Sequence, residues 1–286
     1  MLGRVATVRL GTCSWADAGL LATWYPAGVG TAAARLAYYA ERFDVVEVDS
    51  PFYRLPSPET SARWAERTPP GFCFHVKASG ELTGHRDADL ERAAADFRAA
   101  IAPLEMSGKL RGVLLQYPPW VAKSRAAARR ILETAELLRP LVPLVEFRHA
   151  SWLADGELGS TLELCRRNEL AFVSLDAPRN ALPVVAAATH PIAYVRFHGR
   201  NRETWFKRVE TSAERFDWLY DRDELAEWVD PLRRLAAEAD EVYALFNNNR
   251  DDFAPRSAEL LRRLLDEAGV PAAGGVEPEP VEPTLF

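Results

Sequence analysis

The sequence has few cysteines, no long uncharged apolar run and no excess of positive charge, and each lack argues against a class of protein. Only three of its 286 residues are cysteines, Cys13, Cys73 and Cys165, and none belongs to a Cys-x-x-Cys pair. This argues against a disulfide framework or a zinc ribbon and suits a reducing compartment. No uncharged apolar stretch approaches the roughly 20 residues that a membrane span needs. The first residues, MLGRVATVRLGT, lack a signal-peptide core. We therefore expect a soluble, cytoplasmic protein.

Positive charge is also scarce. Lysine and arginine number 35 against 41 aspartate and glutamate residues, which gives a formal net charge of −6. An acidic chain has no overall attraction to nucleic acid or anionic lipid, although a local basic cleft stays open. The first apolar run leads into Gly11-Thr12-Cys13-Ser14-Trp15, which lacks the GxGxxG spacing of a dinucleotide-binding loop. This argues against an open, doubly wound sheet.

Strand and helix patterns alternate along the chain. Eight short runs predict strands, at about 5–13, 44–50, 71–78, 111–117, 142–148, 170–176, 192–198 and 241–248. Stretches with helical periodicity lie between most of them, at 31–42, 58–67, 88–101, 124–138, 158–168 and 223–239. Eight such units in roughly 250 residues favour a closed (β/α)8 TIM barrel of the α/β class, as a single domain over residues 1–268.

Two segments stand outside this alternation. Residues 200–222 form a long connection after the seventh strand, a length typical of functional lids. Residues 269–286 are rich in proline, glycine and glutamate and predict a disordered tail. The tail ends in Thr284-Leu285-Phe286. This apolar end is either an incidental remnant, a segment that packs back on the barrel, or a contact for another protein. Its end is similar to peptides that dock on DNA sliding clamps, with Glu282 in place of glutamine. Leu285 and Phe286 are therefore candidate clamp contacts.

Charged and amide side chains inside the apolar runs are the most informative feature of the sequence. In Val-Val-Glu-Val-Asp at 45–49, Glu47 and Asp49 share one face, because side chains alternate along a strand. The same parity pairs His75 with Lys77, Glu146 with Arg148, and Arg196 with His198. Burying an unpaired charge costs at least several kcal/mol, so these groups must pair with one another, bind a ligand, or both.

The active site of a (β/α)8 barrel lies at the C-terminal ends of its strands, where these polar residues are expected to gather. The catalytic candidates are Glu47, Glu146, His198 and Lys77. Crowded carboxylates can split their pKa values, and the pKa of histidine lies near neutrality. The ligand-binding candidates are Trp15, Asp49, Tyr53, Gln116, Arg148, Asp176, Arg196, Asn247 and Asn248. Two arginines could clamp a phosphate or carboxylate. Because the charges nearly balance, a purely structural salt-bridge network is the alternative.

A metal site is a weaker hypothesis. Glu47, Glu146, Asp176 and His198 offer ligand types that suit Mn, Mg or Zn. No local spacing supports the site, however, and the neighbouring arginines and lysine oppose a cation. The cofactor is therefore unknown, with a divalent metal as one option. A cysteine nucleophile would need a histidine neighbour that the sequence does not locate.

The same residues carry a family resemblance. The matching motifs are Gly11-Thr12, Trp15, Trp24-Tyr25-Pro26, FDVVEVDSPFYRLPSPET at 43–60, FCFHVKAS at 72–79, LLQYPPW at 114–120, VEFRHASW at 145–152, YVRFHG at 194–199 and VYALFNNN at 242–249. Through them the chain resembles the YecE-like family, domain of unknown function 72, from residue 10 to about 260. The resemblance implies a (β/α)8 barrel and brings no established reaction. Gly84 separates Thr83 from His85, which are adjacent in the family pattern.

These features favour an enzyme, a hydrolase or an isomerase, that acts by acid–base chemistry at the barrel mouth. The density of ionisable groups and the aromatic side chains near the strand ends point to a small polar ligand that carries a sugar or a phosphate. A nucleic-acid-processing or DNA-repair protein is a second class, which the net acidity disfavours. A sensor that binds the same ligand without turnover is a third.

Overall fold

Eight parallel strands close into a barrel in the computed structural model, which describes residues 5–207 and 209–275. The strands are β1 (Val8–Thr12), β2 (Val45–Val48), β3 (Cys73–Lys77), β4 (Leu110–Gln116), β5 (Pro143–Glu146), β6 (Ala171–Asp176), β7 (Ile192–Phe197) and β8 (Glu241–Phe246). Each strand pairs with the next in sequence, and β1 pairs with both β2 and β8. All eight predicted strands are present, and the predicted (β/α)8 fold is confirmed.

Helices surround the barrel. They are α1 (Ala18–Thr23), α2 (Ala32–Ala40), α3 (Pro58–Glu66), α4 (Leu90–Met106), α5 (Arg125–Leu137), α6 (Leu158–Arg167), α7 (Ser212–Arg215), α8 (Arg222–Ala226), α9 (Val229–Glu238) and α10 (Phe253–Glu267). Several helices have an N-cap residue whose side chain accepts a hydrogen bond from a backbone N–H in the first turn. These residues are Thr31, Ser57, Asp89 and Ser124. Among the described residues, no helix is long and apolar enough to cross a membrane.

The predicted helix at 223–239 is broken in two. It ends as α8 at Ala226 and begins again as α9 at Val229. Pro231 explains the break, because a continuous helix would need its missing N–H to donate to the carbonyl of Glu227.

The folded chain also extends past the boundary at residue 268. Val270 is buried, and a short strand, β9 (Ala272–Ala273), pairs with β1. The backbone at Gly274 is left-handed, and a Cβ there would lie 2.4 Å from the carbonyl oxygen of Leu10, so only glycine fits. Residues 269–275 therefore belong to the folded domain rather than to a tail. Residues 276–286, with Leu285 and Phe286, lie outside the described residues, so the clamp-contact prediction stays a prediction.

The register of the strands decides which side chains enter the barrel. Arg196 pairs with Leu175 and with Leu245, and Leu245 pairs with Gly11, so these four positions point to the interior. Glu47 pairs with His75, and Gln116 pairs with Glu146 on the same side. Glu47, His75, Gln116, Glu146 and Arg196 thus belong to an inner layer near the C-terminal ends of the strands.

Candidate active site at the barrel mouth

Arg196 lies at the centre of the mouth and bridges two carboxylates. Its Nη2 donates to Glu47 Oε1 at 2.5 Å, and its Nη1 donates to Glu146 Oε2 at 2.7 Å. All three side chains are completely buried. Charged groups taken this far from water persist only when they are paired and hydrogen-bonded. One guanidinium therefore holds β2, β5 and β7 together across the barrel.

Arg148 extends the network from Glu146 to His198. Its Nε donates to Glu146 Oε1, and its Nη2 lies 2.8 Å from His198 Nε2. Asn247 approaches the other side of the imidazole, with Nδ2 at 3.0 Å from Nδ1. Because a guanidinium can only donate, Nε2 of His198 acts as the acceptor and the neutral ring carries its hydrogen on Nδ1. When the Asn247 amide is rotated by 180° about its terminal bond, its oxygen replaces its nitrogen opposite Nδ1 and accepts this hydrogen bond.

Glu47 is held from a second direction by Tyr194, whose hydroxyl donates to Oε2 at 2.8 Å. Tyr194 stands two residues before Arg196 on the same face of β7, so it points into the barrel from one level deeper. Arg196 Nη2 also lies 3.7 Å from the Cys13 sulfur. A buried phenol and a buried thiol thus complete the surroundings of Glu47.

The pKa values of the two buried carboxyl groups are pushed in opposite directions. Burial raises the pKa of Glu47 from 4.5 to about 7; the charge of Arg196 opposes this rise, and that of Asp49 adds to it. Burial would also raise the pKa of Glu146, but Arg148 and Arg196 outweigh it and hold that pKa well below its ordinary value. A pair whose environments separate its pKa values in this way has the arrangement of an acid–base site.

His198 is neutral at physiological pH. Burial, followed by the charges of Arg148 and Arg196, holds the pKa of its imidazole well below 6.5. A ring that already accepts hydrogen bonds from guanidinium groups is a weak proton acceptor. The geometry gives His198 a clear part in positioning Arg148, and its predicted part in proton transfer stays a prediction.

Asp49, Lys77 and Arg148 connect this buried network to solvent. Lys77 Nζ lies 3.7 Å from Asp49 Oδ2, and Arg196 Nη2 lies 3.7 Å from Asp49 Oδ1. The side chains of Asp49, Lys77 and Arg148 are 23%, 10% and 11% exposed, whereas those of Glu47 and Glu146 have no exposed surface. A ligand at the mouth would therefore meet Asp49, Lys77 and Arg148 first. Gln116 is half-buried beside Glu146 on the same face.

Two predicted aromatic ligand contacts lie in different settings. Trp15 is buried and packs edge-to-face on Trp64, with ring centroids 5.4 Å apart. Tyr53 follows β2 in a short 3-10 turn and is 72% exposed. Only Tyr53 of the two thus offers a free ring face to a ligand.

The long connection after β7 contacts one side of the mouth, and its predicted role as a functional lid stays a prediction. Trp205 lies 5.2 Å from the guanidinium carbon of Arg148 and 6.1 Å from the ring of His198. The connection starts at Gly199, whose backbone is left-handed and whose Cβ, if present, would lie 2.5 Å from that of Trp218. Gly199 therefore allows the connection to fold back over the site.

Asp176 and Asn248 lie apart from the network. Asp176 pairs in register with Phe197 on the outer face of the barrel, and it accepts hydrogen bonds from Tyr220 at 2.6 Å and Trp228 at 2.7 Å and an ion pair from Arg200. Asn248 donates to Trp218 O and Ser257 Oγ. Asp176 thus anchors both ends of the covering connection instead of lining the mouth, contrary to the expectation that all these residues gather in one place.

The four-residue metal set is not brought together. Arg196 lies between Glu47 and Glu146, and Asp176 faces outward. Within residues 5–207 and 209–275, no group of three or more histidine, cysteine, aspartate or glutamate side chains is arranged to hold a metal ion. The three cysteines are free and buried, and burial raises the pKa of Cys13.

Tyr194, His85 and Trp120 are not among the predicted site residues, although His85 and Trp120 already stand in the motifs of the family resemblance. Tyr194 has the same parity as Arg196 and His198, and that parity could have revealed it. His85 and Trp120 follow β3 and β4, and their rings lie 5.6 Å apart at the rim. Although Gly84 separates them, Thr83 Oγ1 and His85 Nδ1 remain 2.9 Å apart. His85 is therefore still positioned by its threonine.

Comparisons with known proteins agree with this architecture. The model of the family "Protein of unknown function DUF72" matches residues 9–282. The UPF0759 protein YunF of Bacillus subtilis is 28% identical over 271 residues, which cover 91% of this chain and 95% of that protein. The crystal structure of a DUF72 family protein from Thermotoga maritima is 29% identical, with a TM-score of 0.80 over 91% of this chain and 99% of the other. A DUF72 family protein from Enterococcus faecalis, 24% identical, has a TM-score of 0.81 over 98% and 100% of the two chains and supports the fold alone.

Proposed function

The chain belongs to the DUF72 family, and we propose that its barrel mouth is the active site of an enzyme that acts on a small polar substrate by acid–base chemistry. Glu47 gives and takes the proton. Glu146 stays ionised and holds Arg196 and Arg148 in place. Arg148, Lys77 and Asp49 bind and orient the substrate where the network reaches solvent.

The observation that carries this proposal is the separation of the two carboxyl pKa values. A general acid or base works best when its pKa lies near the working pH, and the pKa of Glu47 is about 7. Glu146 shares Arg196 with it and is driven the other way by a second guanidinium. Near neutral pH Glu47 can therefore both give and take a proton, while Glu146 stays ionised.

The position of Arg196 limits the kind of reaction. A pair of carboxylates that cleaves a bond flanks that bond, but here the guanidinium occupies the space between Glu47 and Glu146. Because Glu47 is fully buried, it acts from one side and exchanges its proton with a substrate at the rim through the neighbouring Asp49. This favours transfer of a proton within a substrate, as in an isomerisation, over attack by two carboxylates on one bond.

Incubation with a complex extract of small polar metabolites tests the proposal. The wild-type protein, Glu47→Gln and Glu133→Gln are each mixed with the extract, and mass spectrometry follows which compounds are consumed and formed. Glu133 is an exposed residue of α5 and serves as the matched control. We expect at least one polar compound to be converted by wild type and by Glu133→Gln at similar rates, and not by Glu47→Gln.

Other outcomes separate the competing functions. Conversion that persists in Glu47→Gln removes Glu47 from the chemistry. A compound that is retained by all three proteins without conversion supports a sensor. If no compound is converted or retained, while Glu146→Gln still lowers stability, the network is a structural salt-bridge scaffold.

A further inference from the structure

We propose that a row of aromatic rings on one side of the mouth binds an uncharged sugar chain and presents one of its units to the buried site. The inference rests on the proposed function, since it names the class of substrate, but its test is separate. The aromatic row consists of Tyr53, Phe52, His85 and Trp120.

The aromatic row runs without a gap from the loop after β2 to the loop after β4. Successive ring centroids lie 5.0, 4.9 and 5.6 Å apart, and each contact is edge-to-face. The two end residues are open to solvent, Tyr53 at 72% and Trp120 at 66%. A single exposed aromatic side chain is common on a protein surface. A continuous row of exposed rings is not, and such patches mark binding surfaces. A ligand that uses both ends has to be extended.

The row is held rigidly by the backbone beneath it. The carbonyl oxygen of Phe52 accepts from Gly80 N at 3.3 Å and from Arg86 Nη2 at 3.0 Å. The carbonyl oxygen of Gly80 in turn accepts from the backbone N–H of His85 and of Arg86. The two middle residues of the row, Phe52 and His85, are thus fixed to each other before a ligand arrives, which lowers the entropy cost of binding.

The charges along the row favour a neutral ligand over a polyanion. Lys77 lies 4.7 Å from the Phe52 ring centroid and pairs with Asp49 at 3.7 Å. Arg86 lies 5.8 Å from the same centroid and contacts Glu81 at 3.9 Å. The two cations beside the Phe52 ring, Lys77 and Arg86, are thus each paired with a carboxylate, and the whole chain is acidic. A nucleic acid takes most of its affinity from unmatched lysine and arginine, so it fits this rim poorly.

A sugar chain matches the remaining chemistry. The apolar faces of sugar rings pack on the faces of exposed tryptophan and tyrosine, and hydroxyl groups both donate and accept hydrogen bonds. The mixture of donors and acceptors beside the row, Lys77, Asp49 and Gln116, suits such hydroxyls. Lys77 and Asp49 also connect the row to the buried network, since Lys77 lies beside Phe52 and Asp49 lies beside Arg196, so a chain on the row has one unit next to the polar residues above Glu47.

Calorimetric titration with defined oligosaccharides tests the proposal. Maltotriose, cellotriose, xylotriose and tri-N-acetylchitotriose are the probes, and a single-stranded thymidine hexanucleotide is the comparison. The variants are Trp120→Ala and Tyr53→Ala, with Met106→Ala as the control because Met106 is an exposed apolar side chain (87%) at the end of α4, away from the mouth. We expect at least one trisaccharide to bind, with its Kd raised about tenfold in both row variants and unchanged in the control.

Glu47→Gln separates this proposal from the proposed function. It should bind the same trisaccharide as tightly as wild type, since Glu47 lies below the row. If wild type binds the trisaccharide without converting it, the proposed enzymatic function is wrong and the proposed sugar binding on the row still holds. The row proposal is overturned if no trisaccharide binds at millimolar concentration, if Trp120→Ala binds like wild type, or if only the hexanucleotide binds. Circular dichroism of each variant checks folding.

Discussion

Arg196 and Glu47 form an ion pair in the middle of the barrel, with Nη2 2.5 Å from Oε1 and neither side chain exposed to solvent. The same guanidinium also binds Glu146, which has Arg148 as a second partner. Two carboxylates therefore compete for Arg196, and the one with a single cationic partner at hydrogen-bond distance, Glu47, keeps the raised pKa. Because Arg196 is shared unequally, the two carboxylates should contribute to stability in opposite ranges of pH.

Glu47→Gln should change how stability depends on pH. The pKa of Glu47 is about 7 in the folded protein and about 4.5 when unfolded, so the folded state binds the extra proton between these values. This contribution to stability is complete below pH 4.5 and is lost as the pH rises through 7. Relative to wild type, Glu47→Gln should therefore gain on the order of 3 kcal/mol in free energy of unfolding between pH 4.5 and 8. Urea unfolding at several pH values measures it.

Glu133→Gln serves as the control for this series, because Glu133 is exposed on α5. Its stability should follow that of wild type at every pH. A constant difference between wild type and Glu47→Gln across the range would show that Glu47 titrates alike in both states.

Glu146→Gln should be strongly destabilising at neutral pH. The variant leaves the guanidinium of Arg148 without its carboxylate partner and leaves Arg196 with Glu47 alone at hydrogen-bond distance, which costs about 3–5 kcal/mol. The pKa of Glu146 is held well below its ordinary value, so its stabilisation is present above about pH 4.5 and is lost as the pH falls below it. Glu163→Gln, which removes an exposed ion pair with Arg167 at 2.6 Å, should cost less than about 1 kcal/mol. Equal effects of the two substitutions would contradict the account.

His198 should remain neutral well below pH 6.5. Burial and the two neighbouring arginines lower the pKa of its imidazole, and Nε2 accepts from Arg148. Nitrogen-15 spectra of the histidine side chains, with His198→Asn to assign the signal, should show a neutral ring protonated on Nδ1 at pH 5. A midpoint near 6.5 would mean that the guanidinium groups are not where the structure has them.

Asp176→Asn should loosen the cover over the mouth. Asp176 accepts from Tyr220 and Trp228 and pairs with Arg200, so replacing it weakens two buried hydrogen bonds and leaves Arg200 with Glu227 as its nearest carboxylate, at a cost of about 2–4 kcal/mol. Limited proteolysis should cut faster between Arg200 and Tyr220. Asp217→Asn, which removes an exposed pair with Arg250 at 2.9 Å, should leave the cleavage rate unchanged. Equal cleavage in wild type and Asp176→Asn would remove Asp176 as an anchor.

The sequence could predict the fold because its signals are local. Each strand is a short apolar run bounded by turn residues, and the alternation of strands and helices decides the sheet type. The parity of side chains also correctly joined Glu47 with Asp49 and Arg196 with His198 on inner faces. The break in the helix predicted at 223–239 could also have been predicted, because proline at position 231 cannot continue a helix there.

Relationships between strands could not be predicted in the same way. Asp176 ends its run much as Glu146 does, but its register with Phe197 turns it outward, and register is a property of two strands. The sharing of Arg196 between two carboxylates depends on distances across the barrel. The strand at Ala272–Ala273 was hidden because its composition is that of a loop, and pairing with β1 alone makes it a strand.

The titration of Glu47 itself tests the central claim most directly. Carbon-13 spectra of the glutamate carboxyl groups are recorded from pH 4 to pH 9 in wild type, Glu47→Gln and Glu133→Gln. We predict one carboxyl signal with a midpoint of about 7 that is present in wild type and Glu133→Gln and absent from Glu47→Gln. If every glutamate titrates below pH 5, Glu47 is an ordinary ion-pair partner of Arg196 and the mouth is not an acid–base site of the kind proposed.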